Sequence, residues 1–279
     1  MSEIKDILRE HGFKFNKQFG QNFIMDANLL DAMVQDAGIT EDDIVIEVGP
    51  GAGTLTRALA KVAKRVIAFE IDNNLKEILP LTLAEYRDKV EVIFKDFQKV
   101  SEDELMEIIG GTNYKVVANL PYYITTPLVM NFLEAKHKPE SVTVMVQKEV
   151  AERFVAEANT PDYGIITVAI DLEGDASIRR IVPRTLFYPV PNVDSAIVRI
   201  DVKDKGIQHK EEVKRLVKAS FSMRRKTLVN NLTQNFGADK EKLLEVLGHM
   251  NKDVRIRGEV LTRDEFVRLY DLLLNAGAI

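Results

Sequence analysis

The sequence contains no cysteine, which excludes disulfide bonds and metal sites built on thiolates. No window approaches the roughly 18 apolar residues of a membrane-spanning helix, and the charged residues 1–6 lack the apolar stretch of a secretory signal. The four histidines have no ligand spacing, so we expect no metal. There is no internal repeat and no low-complexity stretch. These absences predict a soluble, cytoplasmic, globular protein.

The charges are unevenly distributed along the 279 residues. The net charge is −5, yet residues 201–279 contain 16 Lys and Arg against 12 Asp and Glu, a local balance of +4, so the remainder carries −9. A basic region beside an acidic body is compatible with nucleic acid bound on one face. Charge alone nevertheless favours the simpler interpretation, a solvated surface with uneven charge.

Short runs rich in β-branched residues alternate with helical patterns through the first two hundred residues. The predicted strands are residues 44–48, 65–70, 90–94, 114–118 and 141–146, and the helical segments between them include 54–63, 73–86 and 127–135. This alternation predicts an α/β, Rossmann-like fold with a mostly parallel sheet and helices on both faces. Two more strand-like runs, 165–172 and 195–202, have no long helix between them and predict an antiparallel pair at the sheet edge.

The composition changes near residues 203–206, and only helical patterns follow. They cover residues 211–220, 225–236, 240–247 and 263–275. Asp239, Asn251 and Thr262 stand where helix N-caps are expected. The sequence therefore predicts a first domain over residues 1–206 and a small all-helical domain over residues 207–279.

A glycine-rich loop follows the first predicted strand, where residues 47–54 read Glu-Val-Gly-Pro-Gly-Ala-Gly-Thr. Glycines permit a tight turn and close approach of a ligand to the backbone, so we interpret Gly49 and Gly51 as cofactor-binding. Glu70 closes the next strand, 21 positions after Gly49, where an acid accepts hydrogen bonds from ribose hydroxyls. A simple strand–helix turn also uses glycines, but loop, strand, helix and spaced acid together favour a nucleoside-containing cofactor.

Two other carboxylates narrow the class of cofactor. Glu47 directly precedes the loop, where it would repel a pyrophosphate and attract the sulfonium and ammonium groups of S-adenosyl-L-methionine. Asp96 lies two residues beyond the third strand and is placed to accept a hydrogen bond from an adenine amine; alternatively, it caps a helix or turn. We therefore predict S-adenosyl-L-methionine as cofactor and S-adenosyl-L-homocysteine as its product.

The tetrapeptide Asn-Leu-Pro-Tyr follows the fourth strand at residues 119–122, at the carboxyl edge where open sheets bind ligands. The N6 nitrogen of adenine is a poor nucleophile, because its lone pair is delocalised into the ring. Two acceptors on its hydrogens localise that pair, and an Asn oxygen and a carbonyl held by the following proline supply them. A tyrosine offers a flat face to an unstacked base. The alternative is a proline turn that ends a strand. We interpret these four residues as catalytic: Asn119, Leu120, Pro121 and Tyr122.

Further motifs are Lys-Gln-Phe-Gly-Gln-Asn-Phe at residues 17–23, Phe-Tyr-Pro-Val-Pro-Asn-Val-Asp-Ser at 187–195 and Phe-Ser-Met-Arg-Arg-Lys-Thr at 221–227. With the glycine loop and the tetrapeptide, they make the chain resemble the small-subunit (16S) ribosomal RNA adenine N6,N6-dimethyltransferase family over nearly its whole length. The resemblance implies dimethylation of two adjacent adenosines in a hairpin near the 3′ end of 16S-type rRNA, during biogenesis of the small ribosomal subunit. It also implies that residues 1–27 contact cofactor and RNA.

The resemblance assigns roles to individual residues. It implies cofactor contacts from Asn22 and from Ile24, where the family often has Leu. It places four other residues at cofactor positions: Gly49, Glu70, Asp96 and Asn119. It places Phe187 where an aromatic ring stacks on the target adenine, although packing in the core would equally explain Phe187.

Cations of the second predicted domain are candidates for RNA binding. Arg224, Arg225 and Lys226 form a basic triplet at the start of a predicted helix, where positive charge opposes the helix dipole and favours a phosphate partner over a structural role. A solvated helix end is the alternative. In the first predicted domain, three further residues are candidates to line the RNA path: Lys17, Gln18 and Arg153.

Three alternatives stay open at this point. A 23S rRNA adenine methyltransferase of the macrolide-resistance type shares the motifs, although residues 194–195 and 221–227 favour the small-subunit family. A non-catalytic ribosome assembly factor on the same fold would not need to keep Asn119. A small-molecule methyltransferase would leave the basic helices without a purpose. We expect a monomer with no membrane partner.

Overall fold

A computed structural model describes residues 2–11, 23–24, 26–120 and 124–279. Its helices are α1 Ser2–Glu10, α2 Ala27–Asp36, α3 Thr54–Val62, α4 Leu79–Thr82, α5 Glu102–Ile109, α6 Thr125–Glu134, α7 Lys148–Phe154, α8 Ile165–Asp171, α9 Lys210–Ser220, α10 Leu228–Asn235, α11 Lys240–His249 and α12 Arg263–Asn275. Its strands are β1 Phe23–Ile24, β2 Ile44–Val48, β3 Arg65–Glu70, β4 Val90–Phe94, β5 Lys115–Asn119, β6 Ser141–Gln147, β7 Gly174–Val182, β8 Phe187–Tyr188 and β9 Ser195–Val202. Within these ranges, none of the helices combines the length and the apolar character needed to span a membrane.

The main sheet has seven strands in the order β4-β3-β2-β5-β6-β9-β7. Strands β2 to β6 pair in parallel, whereas β9 runs antiparallel to β6. The central residues of β2, β3, β5, β6 and β9 are buried, as expected for strands covered by helices, whereas those of the edge strand β4 are partly buried or exposed. The chain progresses in opposite directions from β2 and from β5, so the strand order reverses between these neighbours. Such a switch point opens a crevice at the carboxyl ends of the strands, which is where open α/β sheets bind ligands.

The predicted parallel sheet is confirmed, but the predicted strand over residues 165–172 is wrong. This segment forms helix α8, and the edge strand beside β9 is β7. Val168 and Leu172 are four residues apart, so they share one helical face, and both are buried in a cluster of helical residues. A short apolar run has no periodicity that separates a strand from a buried helix.

The segment predicted as one helix over residues 73–86 is broken into three pieces. A 3-10 helix at Asn73–Leu75 precedes α4, and a second 3-10 helix at Ala84–Tyr86 follows it. Pro80 lies in the first turn of α4. A proline has no N–H and its ring clashes with the preceding turn, so it starts a helix and does not continue one.

The chain forms two compact units, Met1–Ala151 with Ala176–Val202, and Glu152–Asp175 with Lys203–Ile279. The predicted boundary at residue 206 thus differs from the observed division, because residues 152–175 join the helical unit. The apolar residues of α8 are the physical reason, since they pack with the core residues of α9 to α12. The core of the first unit lies between the sheet and helices α2 and α3.

Two of the three predicted N-caps are confirmed in the helical unit. The side chain of Asp239 accepts from the N–H of Lys242 at 3.0 Å. Thr262 and Glu265 form a reciprocal capping box at the start of α12. Asn251 is not an N-cap: it follows α11 in the left-handed conformation, with φ of 53°.

Candidate active site

The glycine-rich loop connects β2 to α3 through three left-handed glycines. Gly49, Gly51 and Gly53 have φ values of 71°, 57° and 82°, which residues with a Cβ rarely adopt. The Gly49 N–H donates to the carbonyl of Phe69 at 2.9 Å, which ties the loop to the end of β3. The predicted tight turn therefore exists at the switch point.

Two of these glycines serve different purposes. A Cβ added at Gly53 would lie 3.0 Å from Cδ2 of Leu83 and 3.2 Å from Oγ1 of Thr82, so these side chains pack closely against Gly53 and would have to shift for a larger residue. A Cβ added at Gly49 would meet no atom within 4 Å. Gly49 thus leaves open space beside the backbone, which is the room that a closely approaching ligand needs.

Glu70 holds the loop with its carboxylate. Its side chain is buried, and Oε2 accepts from the N–H of Gly51 at 3.1 Å while Oε1 accepts from the N–H groups of Ile71 and Asp72 at 2.8 Å each. Burial raises the pKa of Glu70, and these three hydrogen bonds oppose that rise. A carboxylate has about four acceptor sites, so Glu70 retains capacity to accept from a ribose hydroxyl.

Glu47 behaves differently from the expectation drawn from its charge. Its side chain is 1% exposed, and burial raises its pKa to about 8, an effect that the nearby Thr56 hydroxyl opposes and the charge of Glu70 increases. Among the described residues, Oε2 of Glu47 has no hydrogen-bond partner. With such a pKa the carboxyl is mostly protonated at pH 7. The attraction of Glu47 for a sulfonium or ammonium group stays a prediction, since a positive charge brought close would lower this pKa.

Asp96 caps a helical turn, which is the alternative to cofactor binding that the sequence left open. It precedes a 3-10 helix at Phe97–Lys99, and Oδ1 accepts from the N–H of Gln98 at 3.1 Å. Its Oδ2 lies 3.9 Å from Nζ of Lys99, and the side chain is 27% exposed. Capping occupies only one oxygen, so the second remains available to the amine of a bound adenine.

Ile71 is a candidate that sequence reasoning missed. It directly follows Glu70 at the carboxyl end of β3, and half of its surface is exposed. An aliphatic side chain there offers a flat apolar contact to a purine ring. The signal in the sequence was its position after the acid that ends a buried strand.

Asn119 is the last residue of β5, paired with Met145 of β6. Since β5 adjoins β2, Asn119 lies at the same sheet edge as the glycine loop and Glu70. Leu120 is buried, with 3% of its surface exposed. Pro121 and Tyr122 lie outside the described residues, so the structure brings together the cofactor candidates and the first half of the tetrapeptide.

The N-terminal strand β1 pairs with β8, and this register places Ile24 opposite Phe187. Both side chains are buried in the core of the first unit. The core packing considered for Phe187 is thus observed, and its stacking on a base stays a prediction. The buried side chain of Ile24 leaves a backbone contact as its route to a cofactor. Three other candidates lie outside the described residues: Lys17, Gln18 and Asn22.

The basic triplet lies in the turn between α9 and α10 in the second unit. Arg224, Arg225 and Lys226 are exposed, and no ion pair involves them within the described ranges. Helix α10 begins at Leu228 with Thr227 as N-cap, so the triplet precedes the helix and is not part of its first turn. Arg153 is exposed in the last turn of α7.

The sheet with its switch point, the left-handed glycines and the acid that ends β3 define a class, the S-adenosylmethionine-dependent methyltransferases of Rossmann-like fold. Gly49 leaves the room and Glu70 the acceptor capacity that this cofactor requires. Residues 12–273 match the family model described as ribosomal RNA adenine dimethylase. The chain belongs to this family.

Curated relatives cover almost the whole chain. A protein of Clostridioides difficile named ribosomal RNA small subunit methyltransferase A is 44% identical over 96% of this chain and 94% of its own length. A protein of Ligilactobacillus salivarius with the same name is 45% identical over 99% and 96%.

Solved structures of two RNA-modifying enzymes share the fold of this chain. A dimethyladenosine transferase from Plasmodium falciparum superposes with a TM-score of 0.77 at 26% identity, covering 92% of this chain and 98% of that one. The 23S rRNA methyltransferase ErmE gives a TM-score of 0.71 at 27% identity, covering 90% and 99%. The fold is therefore shared between proteins named for different targets, and fold alone does not select the substrate.

Proposed function

We propose that this enzyme transfers methyl groups from S-adenosyl-L-methionine to N6 of two adjacent adenosines in a hairpin near the 3′ end of 16S rRNA. The observation that carries the proposal is Asn119, which ends β5 at the switch point beside Gly49 and Glu70. Relatives named for the small subunit, at 44–45% identity over nearly full length, favour this target over a 23S rRNA site.

The chain contributes positioning more than acid–base chemistry. The bound cofactor supplies an electrophilic methyl group on a sulfonium. The side-chain oxygen of Asn119 and the carbonyl of Leu120 accept hydrogen bonds from the two N6 hydrogens, which turns the nitrogen lone pair towards that methyl. The nitrogen loses its proton after it has attacked, so no strong base is needed. Holding nitrogen and methyl in line accounts for the rate.

The helical unit is the proposed RNA-binding part of the enzyme. Its turn at Arg224, Arg225 and Lys226 presents three exposed cations, which suit the phosphates of an RNA hairpin. The proposal places the enzyme in the cytoplasm, as a monomer that meets the small subunit or its precursor without a membrane partner.

The test is transfer of tritiated methyl groups to undermethylated 30S and 50S subunits, followed by nucleoside analysis. We expect dimethyladenosine in 30S rRNA only, and we expect Asn119→Ala to abolish it while circular dichroism shows a folded protein. Asn113→Ala is the matched control, because Asn113 is exposed and precedes the opposite end of β5. Its Nδ2 donates to Oε1 of Glu140 at 3.0 Å. Full activity of Asn119→Ala would overturn the mechanism. Labelling of 50S subunits would favour the macrolide-resistance type, and transfer to neither would favour an assembly factor.

A further inference from the structure

The turn that carries the basic triplet is fixed by one buried side chain. Asn231 of α10 is 1% exposed. Its Nδ2 donates to the carbonyl of Ser220 at 2.8 Å and to the carbonyl of Met223 at 3.2 Å. Its Oδ1 lies 3.4 Å from the hydroxyl oxygen of Ser222, which donates to the nearer carbonyl of Ala219 at 2.8 Å. Within the part of the chain that the structure describes, the side chain of Asn231 thus bonds only to the segment immediately before Arg224.

A polar residue at position 231 departs from the apolar pattern around it. Leu228 and Leu232, on the same buried side of α10, are fully buried. A buried amide is destabilising unless its hydrogen bonds are satisfied, and both hydrogens of this amide are used on carbonyls of the turn. The amide is therefore suited to holding the turn, a task that an aliphatic side chain of equal size cannot perform.

A second element holds the same turn from another side. A Cβ added at Gly258 would lie 3.0 Å from the carbonyl oxygen of Ser220, so glycine permits close approach of this backbone. The N–H of Leu228 donates to the carbonyl of Ile256 at 2.7 Å. The turn is consequently anchored at its beginning by Asn231 and Gly258, and at its end by Ile256.

Anchoring has a clear physical benefit at this location. Three consecutive cations repel one another, and long cationic side chains on a loose turn lose much entropy when they bind phosphates. We propose that Asn231 is a positioning residue for RNA binding, which fixes the backbone from which Arg224, Arg225 and Lys226 project. The inference rests on the proposed RNA-binding role of that triplet.

The test is a double-mutant cycle that measures affinity for undermethylated 30S subunits by filter binding. Asn231→Leu keeps the side-chain size and removes the hydrogen bonds to the turn. We expect it to weaken binding about three- to tenfold without changing the dissociation constant of the cofactor. In a background with all three cations replaced by alanine, Asn231→Leu should change affinity less than about twofold, because there is no charge left to position.

Two further variants separate positioning from general damage. Asn235→Leu lies one turn further along α10 and removes a bond to the backbone of Asn231 without touching the turn, so it should leave affinity unchanged. Gly258→Ala perturbs Ser220 from the other side and should reproduce the effect of Asn231→Leu, more weakly, with the same dependence on the triplet. It also serves as the test if Asn231→Leu does not fold.

The outcomes distinguish this inference from the proposed function. Equal losses from Asn231→Leu with and without the triplet, or no loss in either, would overturn the positioning role alone. If the triple alanine variant binds subunits as tightly as the wild type, the RNA-binding role of the turn and the inference both fail. Methyl transfer that depends on Asn119 would still stand in that case.

Discussion

Replacing Glu47 with glutamine should remove a pH dependence from the stability of the protein. The Glu47 carboxyl is 1% exposed, and burial raises its pKa from 4.5 to about 8. Glutamine has nearly the size of a neutral carboxyl and also offers an acceptor oxygen and a donor group, but it cannot ionise. The wild type must either bury a charge or bind a proton at neutral pH, whereas the variant does neither.

The sign and size of the effect follow from the two pKa values. Below about pH 4.5 the carboxyl is protonated in both the folded and the unfolded chain. Between 4.5 and 8 the unfolded chain ionises and the folded one does not, so the free energy of unfolding falls as pH rises, and the loss is complete above about pH 8. The slope approaches 1.4 kcal/mol per pH unit. Glu47 should thus lower the free energy of unfolding by about 2 to 3 kcal/mol between about pH 5 and about pH 7.

The assay is urea unfolding of wild type and Glu47→Gln at several pH values from about 5 to about 8. Hydrogen-exchange mass spectrometry of peptides from β2 and β3 assigns the transition to the unit that contains Glu47. The difference in stability between variant and wild type should grow with pH in favour of glutamine. Glu107→Gln, at an exposed position of α5, should follow the wild type throughout. A pH-independent difference between Glu47→Gln and the wild type would refute the reasoning, because it would mean that Glu47 ionises alike in both states.

Two other predictions concern the cofactor loop and the basic turn. Gly49→Ala introduces a methyl into the space left for the ligand, so the dissociation constant of S-adenosyl-L-methionine, measured calorimetrically, should rise more than about tenfold. Gly110→Ala is the control, because Gly110 has a φ of 70° against 71° at Gly49 and a Cβ added there also meets no atom within 4 Å. It should share the backbone strain of about 1–2 kcal/mol but bind the cofactor normally. Equal cofactor affinities of the two variants would contradict close approach of the ligand to Gly49. Neutralising Arg224, Arg225 and Lys226 should reduce the slope of the logarithm of RNA affinity against the logarithm of salt concentration by about 2 to 3. Neutralising three exposed cations at the amino edge of the sheet should leave this slope unchanged: Lys61, Lys64 and Arg87. An unaltered slope in the first variant would exclude phosphate contacts by the turn.

The parts of the fold that were predictable depend on local chemistry. Parallel strands can be predicted from short runs of β-branched residues, because both faces of such a strand are buried. The loop was predictable from Gly49, Gly51 and Gly53, since a left-handed backbone selects glycine. The helix caps at Asp239 and Thr262 were predictable as well, because a short polar side chain accepts from a free N–H of the first helical turn. Helix α8 was not predictable, because its apolar run packs with helices α9 to α12, which begin 39 positions after α8 ends.

Some features of the candidate site were predictable from the sequence and others were not. The positions of the glycines, Glu70 and Asn119 at one edge of the sheet were predictable, because each follows or ends a predicted strand, whereas their contacts with ligands stay predictions. The state of Glu47 was not predictable: its pKa depends on desolvation by neighbours that the sequence does not place around it. Asn231 reads as an ordinary polar residue in a helix, and only the bonds to Ser220 and Met223 reveal its connection to the basic turn.

The placement of Asn119 depends on a contact at the other end of its strand. Nζ of Lys115, the first residue of β5, donates to Oδ2 of Asp43 at 2.8 Å and to the carbonyl of Gly38 at 2.9 Å. This partly buried pair is formed in the register in which Lys115 lies opposite Val45 of β2, and it therefore favours that register. A slip of one residue would turn every side chain of β5 to the opposite face, and Asn119 lies about 13 Å further along the strand. The ion pair at the amino edge therefore helps to decide which face of the sheet presents Asn119, the proposed acceptor for N6.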